Sequence, residues 1–238
     1  MSSIGRIVGG ETPPLTSEDK VIICLPSFDI MKTQTAFCQL DLNAHMFLTP
    51  PVEGMGLMIT SHQSSIIQTS REWLAQNALK KGADWIMLID SDMTFPHDAL
   101  HEMLMHRKPL LGTYYCKRGF PATSNTVNMR NGQMITGPDS TGLEQAKSAG
   151  FGCMLMHTDV FRHLSRPWFD VVWLRNEQGE VFQHVGEDVF FFRKAKAELG
   201  LDLFIDHDVS QYIGHLGEYE FTNKLAHDYH RDIGKDES

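Results

Sequence analysis

Nowhere in its 238 residues does the chain hold an apolar run approaching the roughly 20 that a membrane-spanning helix needs. The opening stretch, MSSIGRIVGG, also lacks the apolar core of a secretory leader. Cysteine is sparse: Cys24, Cys38, Cys116 and Cys153 are scattered and form no C-x-x-C pair. Three of them lie in or beside apolar segments, the setting of a buried free thiol, so a reducing compartment is expected and a zinc site is not. Positive charge is in deficit. Lys and Arg number 21 against 30 Asp and Glu, a formal charge of −9, which argues against holding nucleic acid through the net field. The basic residues gather only in pairs (Lys80-Lys81, Arg107-Lys108, Lys117-Arg118, Arg193-Lys194), as solvated surfaces do. Repeats and low-complexity tracts are missing too. A cytoplasmic protein without a stable membrane anchor is expected.

What is present is a core. At 42% apolar and 21% charged the composition is that of an ordinary globular protein, and the length suits one large α/β domain. Residues 1–19 are polar, carry Gly9-Gly10 and Pro13-Pro14, and read as a loosely attached lead-in. VIICLP (21–26) is a short continuous apolar run, the pattern of a buried strand. A helical pattern follows at Met31, Phe37, Leu40, Ala44 and Phe47, and Pro50-Pro51 interrupts it. GLMIT (56–60) is a second strand; Ile67, Leu74 and Ala78 mark a helix over 64–81 with Gly82 as its stop. WIMLID (85–90) is the third strand, a helix runs from Pro96 to about Arg107, and LLGTYYC (110–116) is the fourth strand. Strand and helix alternate here, so a mostly parallel sheet is expected, with ligands at the edge where its strands end.

The second half is less regular. Asn131-Gly132 and Gln178-Gly179 each sit between short apolar arms and predict hairpins. Between them lies a glycine-rich bend, a short strand and a helix capped by Thr158. GEDVFFFRKAKAELG is a helix with acids at its start and Gly200 at its close, LDLFID the last strand, and 218–238 a C-terminal tail.

The chemistry concentrates where the third strand stops. DWIMLIDSDM ends an apolar run in Asp90 and Asp92, one residue apart. Carboxylates so close repel unless a cation or a shared proton lies with them. A plain strand end or helix cap would also read this way. Asp90-Ser91-Asp92-Met93-Thr94 matches the D-x-D-x-T of haloacid-dehalogenase-type phosphatases, which resemblance would make Asp90 a nucleophile and Asp92 its acid/base partner. That motif normally opens a chain, though, and the later G-D-x-x-x-D acidic motif is missing.

The same segment resembles the D-x-D of GT-A fold nucleotide-sugar glycosyltransferases, and further motifs fall in that superfamily's order over residues 20–217. It is most similar to the small cytoplasmic enzymes of bacteria and their phages, of the family 2 type. The resemblance implies a Rossmann-like sandwich, with residues 20–117 binding the donor and 118–217 the acceptor. It implies donor contacts from Pro26, Ser27, Arg71, Asp90, Ser91, Gly150, Phe151 and Gly152. Asp92, Asp90 and His215 would hold Mn²⁺ or Mg²⁺ against the diphosphate of a UDP-sugar or similar donor. His207, beside Asp206 and Asp208, competes with His215 for the metal.

Asp188 would be the general base that takes the acceptor proton, with Glu187 as the alternative. Inversion or retention at the anomeric carbon is left open, as are the sugar and the oligomeric state. Phe190, Phe191 and Phe192 are expected in the core. Trp168 and Trp173 are the candidates for stacking on an acceptor, with a structural role the stronger expectation for Trp173. Three acceptor classes stay open: a lipid-linked or surface saccharide, a protein side chain, and a hydroxymethylated base in phage DNA. A non-catalytic nucleotide-sugar-binding module fits the same motifs.

Overall fold

A computed structural model describes residues 10–119, 121–217 and 220–236. In chain order its first elements are β1 (Lys20–Ser27), α1 (Thr33–Leu48), β2 (Gly56–Gln63), α2 (Ile67–Lys80), β3 (Trp85–Ile89), β4 (Met93–Thr94), α3 (Ala99–Met105) and β5 (Leu110–Thr113). Then follow β6 (Val127–Asn128), β7 (Leu143–Ser148), β8 (Cys153–His157), α4 (Thr158–His163), β9 (Val172–Arg175), β10 (Val181–Val185) and α5 (Glu187–Leu199). β11 (Leu203–Asp206), α6 (His207–Ser210), β12 (Gly214–Leu216), β13 (Glu220–Thr222) and α7 (Asn223–Asp236) complete the chain.

The fold is mixed α/β around an eight-stranded sheet of order β2-β1-β3-β8-β5-β11-β7-β6. β2, β1 and β3 run parallel, as do β5 and β11, while β8 enters antiparallel between β3 and β5. The apolar runs explain the centre. Val21, Ile23, Trp85 and Met87 pack on one face with Leu42 and Met46 of α1; Ile22, Cys24, Ile86 and Leu88 pack on the other with Leu74 and Ala78 of α2. A strand covered on both faces needs apolar residues at every position. The four cysteines are free, and Cys24, Cys116 and Cys153 are buried. Burial pushes the Cys24 and Cys153 thiols up to about 12, so both stay protonated and inert at neutral pH.

Several boundaries differ from expectation. The expected strand 110–116 stops at Thr113, because the Tyr114 N–H turns to Ser210 Oγ and Cys116 bridges Ser124 instead. α4 is capped by His157, whose Nδ1 accepts from the Asp159 N–H, whereas the Thr158 hydroxyl donates to Ala83 O. Of the two hairpins, 172–185 forms around Gly179 at φ 81°. At Asn131, with φ 66°, the turn forms, but the short β6 pairs along β7. The stretch expected as a tail contains β13 and the 14-residue α7.

α1 is the clearest correction. Phe37, Leu40 and Phe47 were the expected inward stripe, yet all are more than 60% exposed. The helix turns Thr35, Gln39, Leu42 and Met46 inward. That i, i+4, i+7, i+11 stripe lies opposite β4 and α3, where Leu42 and Met46 meet Trp85 and Leu100 in one cluster. Nothing among the described residues explains why the outer face is so apolar.

Candidate active site at the strand edge

The site lies at the edge where β1, β3 and β5 end. Pro26 and Ser27 close β1, with Pro26 buried and Ser27 half-buried. Asp90 follows β3. Because β8 is antiparallel to β3, its first residue Cys153 stands opposite Ile89, which delivers the Gly150–Gly152 bend to the same edge. The Asp90 N–H donates to Gly152 O at 3.0 Å, tying bend to strand end. Ser91 contributes its carbonyl, which accepts from the Lys32 N–H at the start of α1.

The bend needs its glycines for a packing reason. The Tyr115 hydroxyl accepts from the Gly152 N–H at 2.9 Å, and a Cβ on Gly152 would lie 2.6 Å from Tyr115 Cζ. The ring is buried, and burial together with the nearby Asp90 charge drives the phenol pKa well up, so it stays neutral.

Asp90 and Arg71, both expected as donor contacts, meet in one ion pair. Arg71 on α2 is only 4% exposed and donates from Nη2 to both Asp90 oxygens, at 2.8 and 3.1 Å. Its Nη1 donates to Glu187 Oε1 at the start of α5, and its carbon Cζ stands 5.1 Å above the Phe151 ring. Burial alone would lower the guanidinium pKa, but the Asp90 and Glu187 charges outweigh it and raise it. Arg71 therefore ties α2, β3 and α5 together beneath the site through both terminal nitrogens, while its buried Nε has no hydrogen-bond partner. Asp90 and Glu187, expected to touch metal and acceptor, spend their charge on Arg71. Phe151 forms the floor under that cluster, buried at 1% exposure among Phe169, Phe191 and Phe192.

Asp92 is held differently. β12 pairs antiparallel with β4, setting His215 opposite Met93, and the Leu216 N–H donates to Asp92 O at 2.7 Å. This brings His215 Nε2 to 3.6 Å from Asp92 Oδ2. The other ring nitrogen, Nδ1, lies 2.9 Å from Cys116 O, which can only accept, so Nδ1 carries the proton. With a proton on Nε2 as well, the ring donates to the Asp92 carboxylate; without it, the Nε2 lone pair is free for a cation lying between the two groups. Arg118 Nη1 reaches the same Oδ2 at 2.8 Å. Burial would raise the Asp92 carboxyl, but His215 and then Arg118 override it and hold it below the usual range. Arg118 was expected only as surface charge, and Tyr115 was not singled out; the sole sequence signal for either was position just past a strand end.

His207, the competing ligand, is excluded by its partners. It is 4% exposed, with Nδ1 at 2.8 Å from Thr136 Oγ1 and Nε2 at 3.1 Å from Glu144. Among the described residues no three His, Cys, Asp or Glu side chains converge as a ready-made metal cage. Asp92 and His215 nonetheless fit a divalent cation that completes its ligand set from elsewhere: one carboxylate oxygen and one oriented imidazole nitrogen face each other.

Asp188 sits one residue inside α5. Gly186 lets it fold back, since a Cβ there would lie 2.9 Å from Asp188 Oδ1. That oxygen accepts from the Val189 N–H at 2.6 Å. Burial first, and then the neighbouring Glu187, raise its pKa above the ordinary aspartate value. Phe191 and Phe192 are core, as expected, whereas Phe190 is only half-buried. Trp168 is buried with its Nε1–H on Leu164 O, so it is no stacking platform, whereas Trp173 is exposed.

No protein-family model and no curated protein matches the sequence. Among solved structures, A197 from STIV is similar with a TM-score of 0.53 at 14% identity, over 83% of this chain and 86% of that one. S. aureus TarS (1–349) gives a TM-score of 0.42 at 13% identity, over 79% of this chain and 57% of that one. A glycosyltransferase involved in glycosylation of the major capsid of PBCV-1 gives 0.32 at 12% identity, over 62% and 68%. The first of these shows a shared fold.

Proposed function

We propose that the chain transfers a sugar from a nucleoside-diphosphate sugar, a UDP-sugar foremost, to an acceptor hydroxyl. The observation that carries the reading is the facing of Asp92 and His215 at the strand edge, 3.6 Å apart, by the pairing of two very short strands. That pairing has no role in the main sheet, yet it builds an acid–imidazole pair next to a second acid. Asp92 and His215 would hold Mn²⁺ or Mg²⁺, which supplies Lewis-acid stabilisation of a departing diphosphate. Arg118, half-exposed beside Asp92, adds a cation for the same oxygens.

Asp188 accepts the acceptor proton at its carboxylate. Its raised pKa makes it a better base than an ordinary surface aspartate. Asp90 and Glu187 act through Arg71, which fixes the spacing between the D-x-D segment and the helix that carries Asp188. The same tie weighs against the phosphatase reading, because a carboxylate held through both oxygens by a buried guanidinium is a poor nucleophile.

The test is release of nucleoside diphosphate from a panel of UDP-, GDP- and dTDP-sugars, without acceptor, with and without Mn²⁺. Slow metal-dependent release from at least one donor is expected. Release from none, or phosphate release from p-nitrophenyl phosphate instead, would overturn the reading.

A further inference from the structure

The β9–β10 hairpin stands out from the rest of the chain by what it exposes. Trp173 is 60% exposed and Phe182 63%, on a two-stranded sheet whose strands pair only with each other. Cross-strand pairing sets His184 opposite Trp173, with ring centroids 4.4 Å apart at 45°. The register shifts between Val181 and Gln183, so Phe182 is the bulged residue. Bulges of this kind re-aim a side chain rather than leave it in the alternation. Free-standing two-stranded ribbons with open aromatics are costly to leave in water.

The placement is functional. β10 ends at Val185, buried at 3%, and Asp188 lies three residues further on. Three residues of chain span at most about 10 Å, and four from His184 about 14 Å. The aromatic ribbon thus rises directly from the helix start that carries the base.

Its charge selects the ligand. Arg175 is the one cation on 172–185, and its Nη1 donates to Gly179 O, while Glu177 and Glu180 are acidic. Surfaces that take single-stranded nucleic acid combine aromatics with cations along the phosphates. Here the aromatics stand with a net negative ribbon. We propose, resting on the transferase reading, that this hairpin is the acceptor platform and that the acceptor is an uncharged saccharide. The apolar C–H face of a pyranose packs on Trp173, and its neighbouring hydroxyls meet His184.

The experiment measures binding of malto-, chito- and mannotriose to the full chain by calorimetry, with single-stranded oligodeoxynucleotide as the rival probe. At least one trisaccharide binds, and Trp173→Ala weakens it by about tenfold, the loss of a good aromatic stacking contact. Trp173→Phe retains most of the affinity. Trp73→Ala serves as a control, because Trp73 is also an exposed indole beside a histidine, His62, but on α2. Trisaccharide affinity is the same in that variant as in the unaltered chain. Equal affinity in Trp173→Ala, no trisaccharide binding, or oligonucleotide binding alone would each overturn the proposal. Donor hydrolysis without acceptor reports the transferase reading separately, so either can fail without the other.

Discussion

Arg71 grips Asp90 through both carboxylate oxygens, at 2.8 and 3.1 Å, from a position 19 residues earlier in the chain. The contact answers why a buried strand ends in doubled negative charge. One aspartate of the pair is neutralised from below by a buried guanidinium. The other is left to His215 and Arg118 above it. The two carboxylates are thus not twins: one is tied to the buried Arg71, and the other stands with His215 and Arg118.

Removing Arg71 should cost far more than removing a surface ion pair. Arg71→Ala leaves Asp90 and Glu187 without their partner in a partly buried setting and opens a void beside Phe151. Breaking a buried pair from one side typically costs about 3–5 kcal/mol, so a fall of many degrees in Tm is expected. Combining Arg71→Met with Asp90→Asn and Glu187→Gln should recover much of the loss. A single variant as stable as the unaltered chain would show that the cluster is not structural.

Much of the sheet could be read from the sequence because β1 and β3 are covered on both faces, and a strand in that position must be apolar throughout. The helix stops at Gly82 and Gly200 were equally legible, since both take φ near 70° where glycine is favoured. The face of α1 was not, because Leu40 and Leu42 offer rival stripes and tertiary contact chose between them. Arg71 could be placed on its helix, but its tie to Glu187 spans 116 residues and leaves no local pattern. His215 and His207 were separable only by partners: β4 is two residues long and β12 three, too short to show periodicity.

The bend at Gly150–Gly152 tests whether its glycines serve packing. Gly152→Ala drives a methyl into the buried Tyr115 ring, at 2.6 Å from Cζ and 2.8 Å from Cε1. Overpacking of this kind costs about 1–3 kcal/mol. Tyr115→Phe keeps the ring but leaves the buried Gly152 N–H without its acceptor, a loss of about 1–3 kcal/mol. Both should lower the denaturant midpoint at unchanged slope. A neutral Gly152→Ala would instead mean that the bend yields, and that its glycines answer to a ligand.

Metal dependence divides Asp92 from Asp90. Chelation with EDTA should abolish binding of UDP by the full chain, and Mn²⁺ should restore it. His215→Gln and Asp92→Asn each remove one of the two proposed ligands and should weaken Mn²⁺-dependent UDP binding by at least about tenfold. Calorimetry with UDP at fixed Mn²⁺ reads this directly. Full affinity in Asp92→Asn would remove the metal from the proposed mechanism and leave Arg118 as the cation that meets the diphosphate.

Asp188 gives the sharpest outcome, because rate and stability should move in opposite directions. Its carboxyl is raised by burial and then by Glu187, so ionising it in the folded chain is costlier than in the unfolded one. A group of this kind favours folding fully below the unfolded value, and that contribution is lost as pH rises through the folded one. At neutral pH the ionised Asp188 therefore destabilises the chain. Asp188→Asn removes that cost and should raise Tm at pH 7, with little change near pH 3. The same substitution deletes the proposed proton acceptor, so kcat should fall by about 10²–10⁴-fold while UDP affinity holds. In the unaltered chain the acid limb of kcat should lie above the ordinary aspartate range, since the base must lose its proton to work. Glu187→Gln tests the alternative base: its carboxylate is bound to Arg71, so it should lose stability more than turnover. If Asp188→Asn keeps its rate while Glu187→Gln loses it, the proton goes to Glu187. If both keep their rates, the start of α5 holds no base, and the acid limb must then belong to another group.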